Sequence, residues 1–298
     1  MEINDLALNA DSFGEVLGWL QAAGGDPHYP VERMVLERAR ISGEGLNLPS
    51  INGTADWNAQ GYFSKALLRS EDGKLEVELQ PQQSRWQIAL HIKESSLPWF
   101  PGILFNELNA NGEAGEGMAD FTGIDGQLYG GELTGSAHLH WQTGWQMQGH
   151  LNIKAIELQK ALPQSNIEGE MDGDSNFQLN SATLPRLANA PYLDGTFTVK
   201  KGVINKIDMV QTATNQQGMS GGRTHFDELS GTLQIENNSQ HLRQLKISSG
   251  VMSALGSVDV SPGGQLSGRL SVDLKMRAGS APLVLSGTLA EPLLRPAR

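Results

Sequence analysis

One segment of the chain matches a catalytic motif, the nucleophile pattern G-x-S-x-G at residues 218–222, with Ser220 as its serine. In hydrolases that serine sits on a sharp turn from a strand into a helix, and its acid and histidine lie far downstream. Here the following residues RTHFDELSG are typical of the start of a strand, and His225 and Asp227 follow too closely. We therefore expect a glycine-rich loop and no enzyme, with a hydrolase using Ser220 as a poor alternative.

A second group is three histidines that are close in sequence. His138 and His140 are two residues apart, so they share one face of a predicted strand, and His150 could join them from the next strand. A metal ion would need three or four converging ligands. The apolar face of that strand is already supplied by Ala137, Leu139 and Trp141. We expect solvated histidines here, no metal and no cofactor.

A third group imitates the start of a calcium-binding loop. Asp172, Asp174 and Asn176 have the spacing of its first three ligands. The pattern then fails, because Phe177 stands where the loop needs glycine and Thr183 where it needs the closing glutamate. We expect a turn at these residues.

Composition excludes several classes of function. The formal net charge of −11 argues against a nucleic-acid partner, which requires a basic surface. With no cysteine, the chain has no disulfide, iron–sulfur cluster or thiol nucleophile. No window approaches 18 consecutive apolar residues, and no secretory signal opens the sequence. The first residues, EINDLALNA, are typical of a strand inside a domain, so we expect a fragment whose anchor lies upstream.

The elements that must position these residues are predicted to be short β-strands. From Leu229 to Pro296 the sequence alternates apolar residues with polar residues or glycine, which gives each strand one aliphatic face. In one stretch the same face holds Leu266, Gly268, Leu270, Val272, Leu274 and Met276. Such a face must be covered. A bound ligand would make it an open groove, whereas a second stacked sheet would make it a closed β-sandwich.

The rest of the chain is predicted to be mainly β with a few short helices. A helix capped by Asp11 or Ser12 would place Phe13, Val16, Leu17 and Leu20 on one stripe. Asp72-Gly73 indicates a hairpin turn. The segment from Trp99 to Leu108 is either a short helix or a buried connector, and the spacing of Ile204, Ile207 and Val210 suits one or two helical turns. We place a soft domain boundary near the segment from Trp99 to Leu108. It separates a β region at 1–110 from a second region at 111–298 that is continuous with the first.

Several glycine motifs, in their order along the chain, resemble the C-terminal region of the AsmA-like family (AsmA/TamB/YhdP-type proteins) of the Gram-negative envelope. The matching points are a glycine turn at Gly202, a GG-x-T-x-F element, and a terminal G-T-L-x-x-P. The second element is Gly221, Gly222, Thr224 and Phe226, and the third is Gly287, Thr288, Leu289 and Pro292. The resemblance is clear from about Phe121 to the end and fainter before it. The family's usual N-terminal inner-membrane helix has no counterpart in this sequence.

The resemblance implies a fold and a function. AsmA-like proteins have a long, strongly curved antiparallel sheet that forms a taco-like open groove with an apolar interior. They act in the movement of phospholipid between the inner and outer membranes and in outer-membrane assembly. The resemblance therefore implies a periplasmic protein, anchored to the inner membrane through a segment outside this sequence. Its partners would be a phospholipid or another acyl lipid, together with outer-membrane assembly proteins. The alternative is a structural adaptor that recruits such a partner by strand addition.

Face parity gives a set of candidate residues for the lipid groove. Two assignments of the lining face remain, because a register slip of one residue would exchange the two faces of every strand. The candidates come from five predicted strands and are Leu233, Ile235, Leu245, Ile247, Val258, Val260, Leu266, Leu270, Val272, Leu274, Leu283 and Leu285.

Overall fold

The computed structural model describes residues 2–9, 32–43, 46–83, 85–97, 100–115, 117–215, 221–276 and 279–297. The predicted N-terminal helix, Trp99 and Ser220 lie outside these described residues. Strands account for 73% of the structure and helices for 6%, so the prediction of a mainly β fold with few helices is confirmed. No helix among the described residues is both long enough and apolar enough to cross a membrane.

The chain divides into two compact units, and three strands contribute residues to both of them. Unit 1 comprises Met1–Leu128, Thr134–Gly149 and Leu179–Asn189, and unit 2 comprises Tyr129–Leu133, His150–Gln178 and Ala190–Arg298. The strands with residues in both units are β11 (Gly131–His140), β12 (Trp145–Glu157) and β13 (Ile167–Ser181).

Unit 1 is built on an antiparallel series of strands with two parallel additions. Its strands are β1 (Glu2–Asn4), β2 (Ala7–Asn9), β3 (Arg33–Gly43), β4 (Leu46–Asn47), β5 (Ile51–Trp57), β6 (Phe63–Ser70), β7 (Leu75–Gln82), β8 (Arg85–Leu97), β9 (Phe100–Gly115) and β10 (Met118–Leu128). From β5 to β10 each strand pairs antiparallel with the next. β1 and β2 pair parallel with β3.

The core of unit 1 centres on aromatic side chains from β5, β6 and β8. Trp57 meets Phe63 edge-on with ring centroids 5.6 Å apart, and Phe63 meets Trp86 at 5.1 Å. All three are buried together with small residues such as Ala66 and Ala114. Edge-to-face contacts of this kind add to the free energy gained by burying the rings.

Unit 2 contains two short helices and an uninterrupted antiparallel series of strands. Its remaining elements are α1 (Leu158–Ala161), β14 (Tyr192–Asn205), α2 (Met209–Asn215), β15 (Arg223–Glu236), β16 (Ser239–Ser248), β17 (Met252–Val260), β18 (Leu266–Leu274), β19 (Ser280–Gly287) and β20 (Pro292–Pro296). Each strand from β13 to β20 pairs with its sequence neighbour. The aliphatic face is therefore one side of a continuous open sheet, as predicted, rather than one of two stacked sheets.

Two hairpins show how local sequence fixes the register. The turn at Asp72-Gly73 is present as predicted, with Gly73 at φ 71° between β6 and β7. Between β15 and β16 the two-residue loop is Asn237-Asn238, with φ of 49° and 62°. Asparagine tolerates positive φ, and a type I′ loop with both residues in that region matches the twist of the flanking strands.

Five sequence-based predictions are wrong in detail. Residues 100–108 of the predicted helix or connector form neither, because Phe100–Gly115 is a 16-residue strand that pairs with both β8 and β10. That strand and others are also longer than the short strands expected. The residues with calcium-loop spacing, Asp172, Asp174 and Asn176, lie within β13 and not in a turn. Their spacing of two is the period of a strand. Ile204 belongs to β14, so only Val210 of the predicted helical triplet lies in α2. Met276 lies beyond β18 and is 98% exposed.

On the aliphatic face of unit 2, glycines lie opposite or beside large side chains of the neighbouring strands. Gly256 stands between Leu245 on β16 and Leu270 on β18. A Cβ at Gly256 would overlap the Arg269 carbonyl oxygen and lie 2.5 Å from Leu270 Cδ2. A Cβ at Gly231 would meet Leu245 Cδ2 at 2.9 Å. The absent Cβ atoms leave room for large aliphatic neighbours and for bending of the sheet.

The backbone is irregular in three neighbouring strands of unit 2, at the end nearest the helices. Ala155 in β12 has φ 56°, Lys201 in β14 has φ 49°, and the register of β13 shifts between Glu168 and Glu170. Asp172 braces this region, because its Oδ1 accepts the Ala155 amide proton at 2.9 Å and its Oδ2 accepts from Lys200 Nζ at 2.7 Å. The Lys200 ammonium and the Ala155 amide hold the pKa of Asp172 below its ordinary value.

Replacing Gly256 tests the close approach of Leu270. We expect Gly256→Ala to lower the free energy of unfolding by about 1–3 kcal/mol, because the new methyl group must displace a strand. Gly250→Ala is the matched control, since a Cβ there meets no atom within 4 Å. Urea unfolding measures both variants, and a Gly256→Ala variant as stable as the wild type would contradict the packing described.

Acid should remove the contribution of Asp172. Since its folded-state pKa is lowered, the stabilisation is present above its unfolded pKa of about 3.9 and is lost as pH falls through the lower folded value. Asp172→Asn should cost less than about 1 kcal/mol at neutral pH, as for an exposed ion pair, and nothing once the wild-type carboxylate is protonated. Asp172→Ala should cost about 1 kcal/mol more at every pH, because the Ala155 amide loses its acceptor. Thermal unfolding from pH 7 down to about pH 2 measures both variants, and a penalty for Asp172→Asn that does not shrink as the pH falls through this range would rule out the electrostatic explanation.

Candidate functional site

The twelve predicted groove residues all lie on one face of β15 to β19. Residues directly opposed on neighbouring antiparallel strands share a face. One such row crosses four strands through Leu245, Gly256, Leu270 and Leu283. Other rows, with the same parity, hold the remaining candidates. The structure therefore brings the predicted set together.

The candidates differ in how far they are covered. Six of them belong to one buried cluster, which we call the covered half: Leu245, Ile247, Leu270, Val272, Leu283 and Leu285. Four others are half-buried, and with their half-buried neighbours Leu242 and Phe197 they form what we call the open half: Leu233, Ile235, Val258, Leu266, Leu242 and Phe197. Val260 is buried beside the open half, and Leu274 is half-buried at the opposite end of its strand.

Helix α2 covers one half of the face. It contacts β15, β18, β19 and β20, and it belongs to the same buried cluster as the covered half. Its inward residues Met209, Thr212 and Ala213 are each no more than 2% exposed. The protein itself therefore fills this part of the face, and no ligand is needed there.

A buried threonine and an aspartate hold α2 in place. The Thr224 hydroxyl accepts the Met209 amide proton at 3.0 Å and donates to the Ile207 carbonyl at 2.8 Å. Asp208 caps the helix, because its Oδ1 accepts the Gln211 amide proton at 2.9 Å. The chain segments before and after α2 are thereby joined within a buried region, where an unpaired polar group would be costly.

Sequence reasoning missed α2 as the cover. The available signal was Asp208, an N-cap residue with Gln211 three positions later, followed by apolar Met209 and Val210. The spacing of Ile204, Ile207 and Val210 predicted a helix that begins too early, because Ile204 lies at the end of β14. The role of Thr224 has no signal in the sequence, because its two partners come from a different chain segment.

The ends of unit 2's sheet meet through polar contacts. Lys206 Nζ, after β14, donates to the Ala290 carbonyl in the β19–β20 turn at 2.6 Å, and Asn166 Nδ2, before β13, donates to the neighbouring Leu289 carbonyl. Strands from the start and the end of the unit are therefore close in space, so the sheet bends back on itself around α2.

Charged residues lie on the other face of these strands. Arg243 and His241 on β16 both contact Asp259 on β17, at 2.5 Å and 2.6 Å. Hydrogen bonding from His241 and then Arg243 holds the pKa of Asp259 below its ordinary value. By contrast, the residues that oppose one another across the open half carry no ionisable side chain. Charge is thus confined to one face and hydrocarbon to the other.

The other sequence motifs do not assemble into a site among the described residues. Strand β15, not a helix, follows the G-x-S-x-G segment, and Ser220 itself lies outside the described residues. His138 pairs with Asp120 at 2.7 Å, whereas His150 pairs with Asp174 at 3.0 Å. No group of three or more possible metal ligands occurs in the described part of the chain.

Comparisons of the chain with protein-family models, with curated proteins and with solved structures give no match. The proposed function therefore rests on the geometry of the apolar face, together with the resemblance of the glycine motifs to the AsmA-like family.

Removing the Thr224 hydroxyl tests how α2 is held. Thr224→Val keeps the shape of the side chain but leaves the Met209 amide and the Ile207 carbonyl unpaired, so we expect a loss of about 1–3 kcal/mol in the free energy of unfolding. Hydrogen exchange at the α2 amides should become faster. Thr232→Val on the same strand is the control, since its hydroxyl makes only an exposed 3.4 Å bond. Unchanged exchange in α2 would contradict the role assigned to Thr224.

Proposed function

We propose that the protein is a non-enzymatic lipid-binding protein and that the open half of the unit 2 face contacts an acyl chain. The observation that carries the proposal is a set of aliphatic side chains on a continuous sheet that α2 leaves half-buried, exemplified by Leu233, Val258 and Leu266. A contiguous patch of partly exposed aliphatic side chains is typical of a surface that binds an apolar ligand or partner.

The chemistry of the open half favours hydrocarbon over a polar ligand. Its backbone amides and carbonyls are engaged in the ladders between β14 and β18, so the face offers side-chain carbon and few hydrogen-bonding groups. A polar group placed there would lose its water without gaining a partner. Each buried methylene of an acyl chain gains about 0.8 kcal/mol, so a short stretch of chain is enough for binding.

The resemblance to AsmA-like proteins supports a wider setting for this binding. We infer that the protein works in the periplasm of a Gram-negative bacterium, anchored to the inner membrane by a segment outside this sequence. There it would support the transport of phospholipid between membranes and outer-membrane assembly. The net charge of −11 agrees with a ligand recognised through its chains and not with a nucleic acid.

The adaptor alternative has less support from the geometry of unit 2. Recruitment by strand addition needs an edge strand with free amides and carbonyls. Strand β20 has five residues, and proline occupies both its first and its last position, Pro292 and Pro296. Short edges that carry proline are typical of sheets protected against such pairing.

An aspartate scan of β17 tests the lipid-binding proposal. We expect delipidated wild-type protein to take up a dansyl-labelled fatty acid. Val258→Asp should weaken that uptake at least about tenfold, or 1.4 kcal/mol, because a carboxylate then lies on the apolar face. Leu255→Asp is the matched control, since Leu255 is on the same strand, points to the other face and is 55% exposed. Circular dichroism checks that both variants fold, and mass spectrometry of the purified protein identifies any retained lipid. Failure of the wild type to take up the probe would refute the proposal.

A further inference from the structure

The covered and open halves differ in what a ligand could displace. Val272 and Leu283 in the covered half, and Leu294 beside them on β20, are each no more than 1% exposed, so their neighbours are already at packing distance. Helix α2 lies against the same strands and is tied to β15 through Thr224. An acyl chain that displaced α2 would replace one apolar contact with another and would break both Thr224 bonds. Entry into the covered half is therefore unfavourable.

The open half adjoins the hairpin turns at the opposite end of the strands. Its outermost row runs through Ile235, Gln240, Val260 and Leu266, next to the Asn237-Asn238 turn. Leu242, Val258 and Leu266 also pack against the buried cluster that includes α2. The partly exposed hydrocarbon surface is thus continuous from the turns to the helix and becomes fully buried there.

From this arrangement we propose that α2 is an end stop that sets how far an acyl chain reaches along the face of unit 2. The inference rests on the proposed lipid-binding function and adds to it the residues that limit chain length. An acyl chain enters beside the β15–β16 turn and lies over Leu242, Val258 and Leu266. It ends against the α2 cluster, where Met209 is the largest inward side chain of the helix.

Photocrosslinking on the wild-type chain tests the position of the stop without altering the fold. The probe is a palmitate analogue with a photoreactive group on its terminal carbon, and unlabelled palmitate in excess is the competitor. We expect competitor-sensitive crosslinks on β16, β17 and β18 where the open half meets the α2 cluster, and none on Leu283 or Leu294. Crosslinks on Leu283 or Leu294 that are as strong as those on Val258 would overturn the stop and leave lipid binding intact.

Chain length gives a second, independent readout. Affinity for saturated fatty acids should rise about fourfold per added methylene and then level off once the chain reaches α2. Met209→Ala should move that plateau to longer chains, whereas the exposed-face variant Leu255→Ala should leave it in place. A plateau that Met209→Ala does not shift, in a variant whose circular dichroism is that of the wild type, overturns the proposal. Absence of any fatty-acid binding by the wild type refutes the proposed function itself, and with it the stop.

Discussion

The structure of unit 2 depends on one constraint, which is that an unbroken antiparallel ladder puts every aliphatic strand face on the same side. From β13 to β20 each strand pairs with the next, so no strand leaves to form a second layer that would bury this face. Cover has to come from bending of the sheet and from inserted chain. The glycines opposite large side chains, the backbone irregularities near Ala155 and Lys201, and helix α2 all serve that requirement.

The opposite face shows the same division in electrostatic terms. The carboxylates with lowered pKa in unit 2, Asp172 and Asp259, both accept from cationic side chains on neighbouring strands. Exposed pairs of this kind contribute little to stability individually. Their position matters more, because a charged face resists burial and leaves only the aliphatic face to be covered. The separation of charge and hydrocarbon onto two faces supports the proposal that the open half contacts a lipid chain.

Much of this arrangement could be predicted from local sequence. Period-two alternation identified the strands from β15 to β19 and placed all twelve candidates on one face, since parity depends only on neighbouring residues. Phe100–Gly115 was missed because two prolines near its start outweighed the alternation that follows. Three features could not be predicted: the parallel pairing of β1 and β2 with β3, the bend of the sheet, and the insertion of α2. Each depends on contacts between residues distant in sequence, such as Lys206 with Ala290 or Met209 with Thr224. Burial separated the candidates into two halves, which alternation alone does not distinguish.

The contacts of α2 also have a consequence for how the chain is made. The helix spans Met209–Asn215, but the strands that bury it include β18, β19 and β20, the last of which ends at Pro296. Synthesis from the N-terminus therefore leaves the inward side of α2 and the facing strands without their final partners until β20 has been translated. During that interval the exposed aliphatic strands can pair or aggregate incorrectly. The β19–β20 hairpin thus completes the cover of α2.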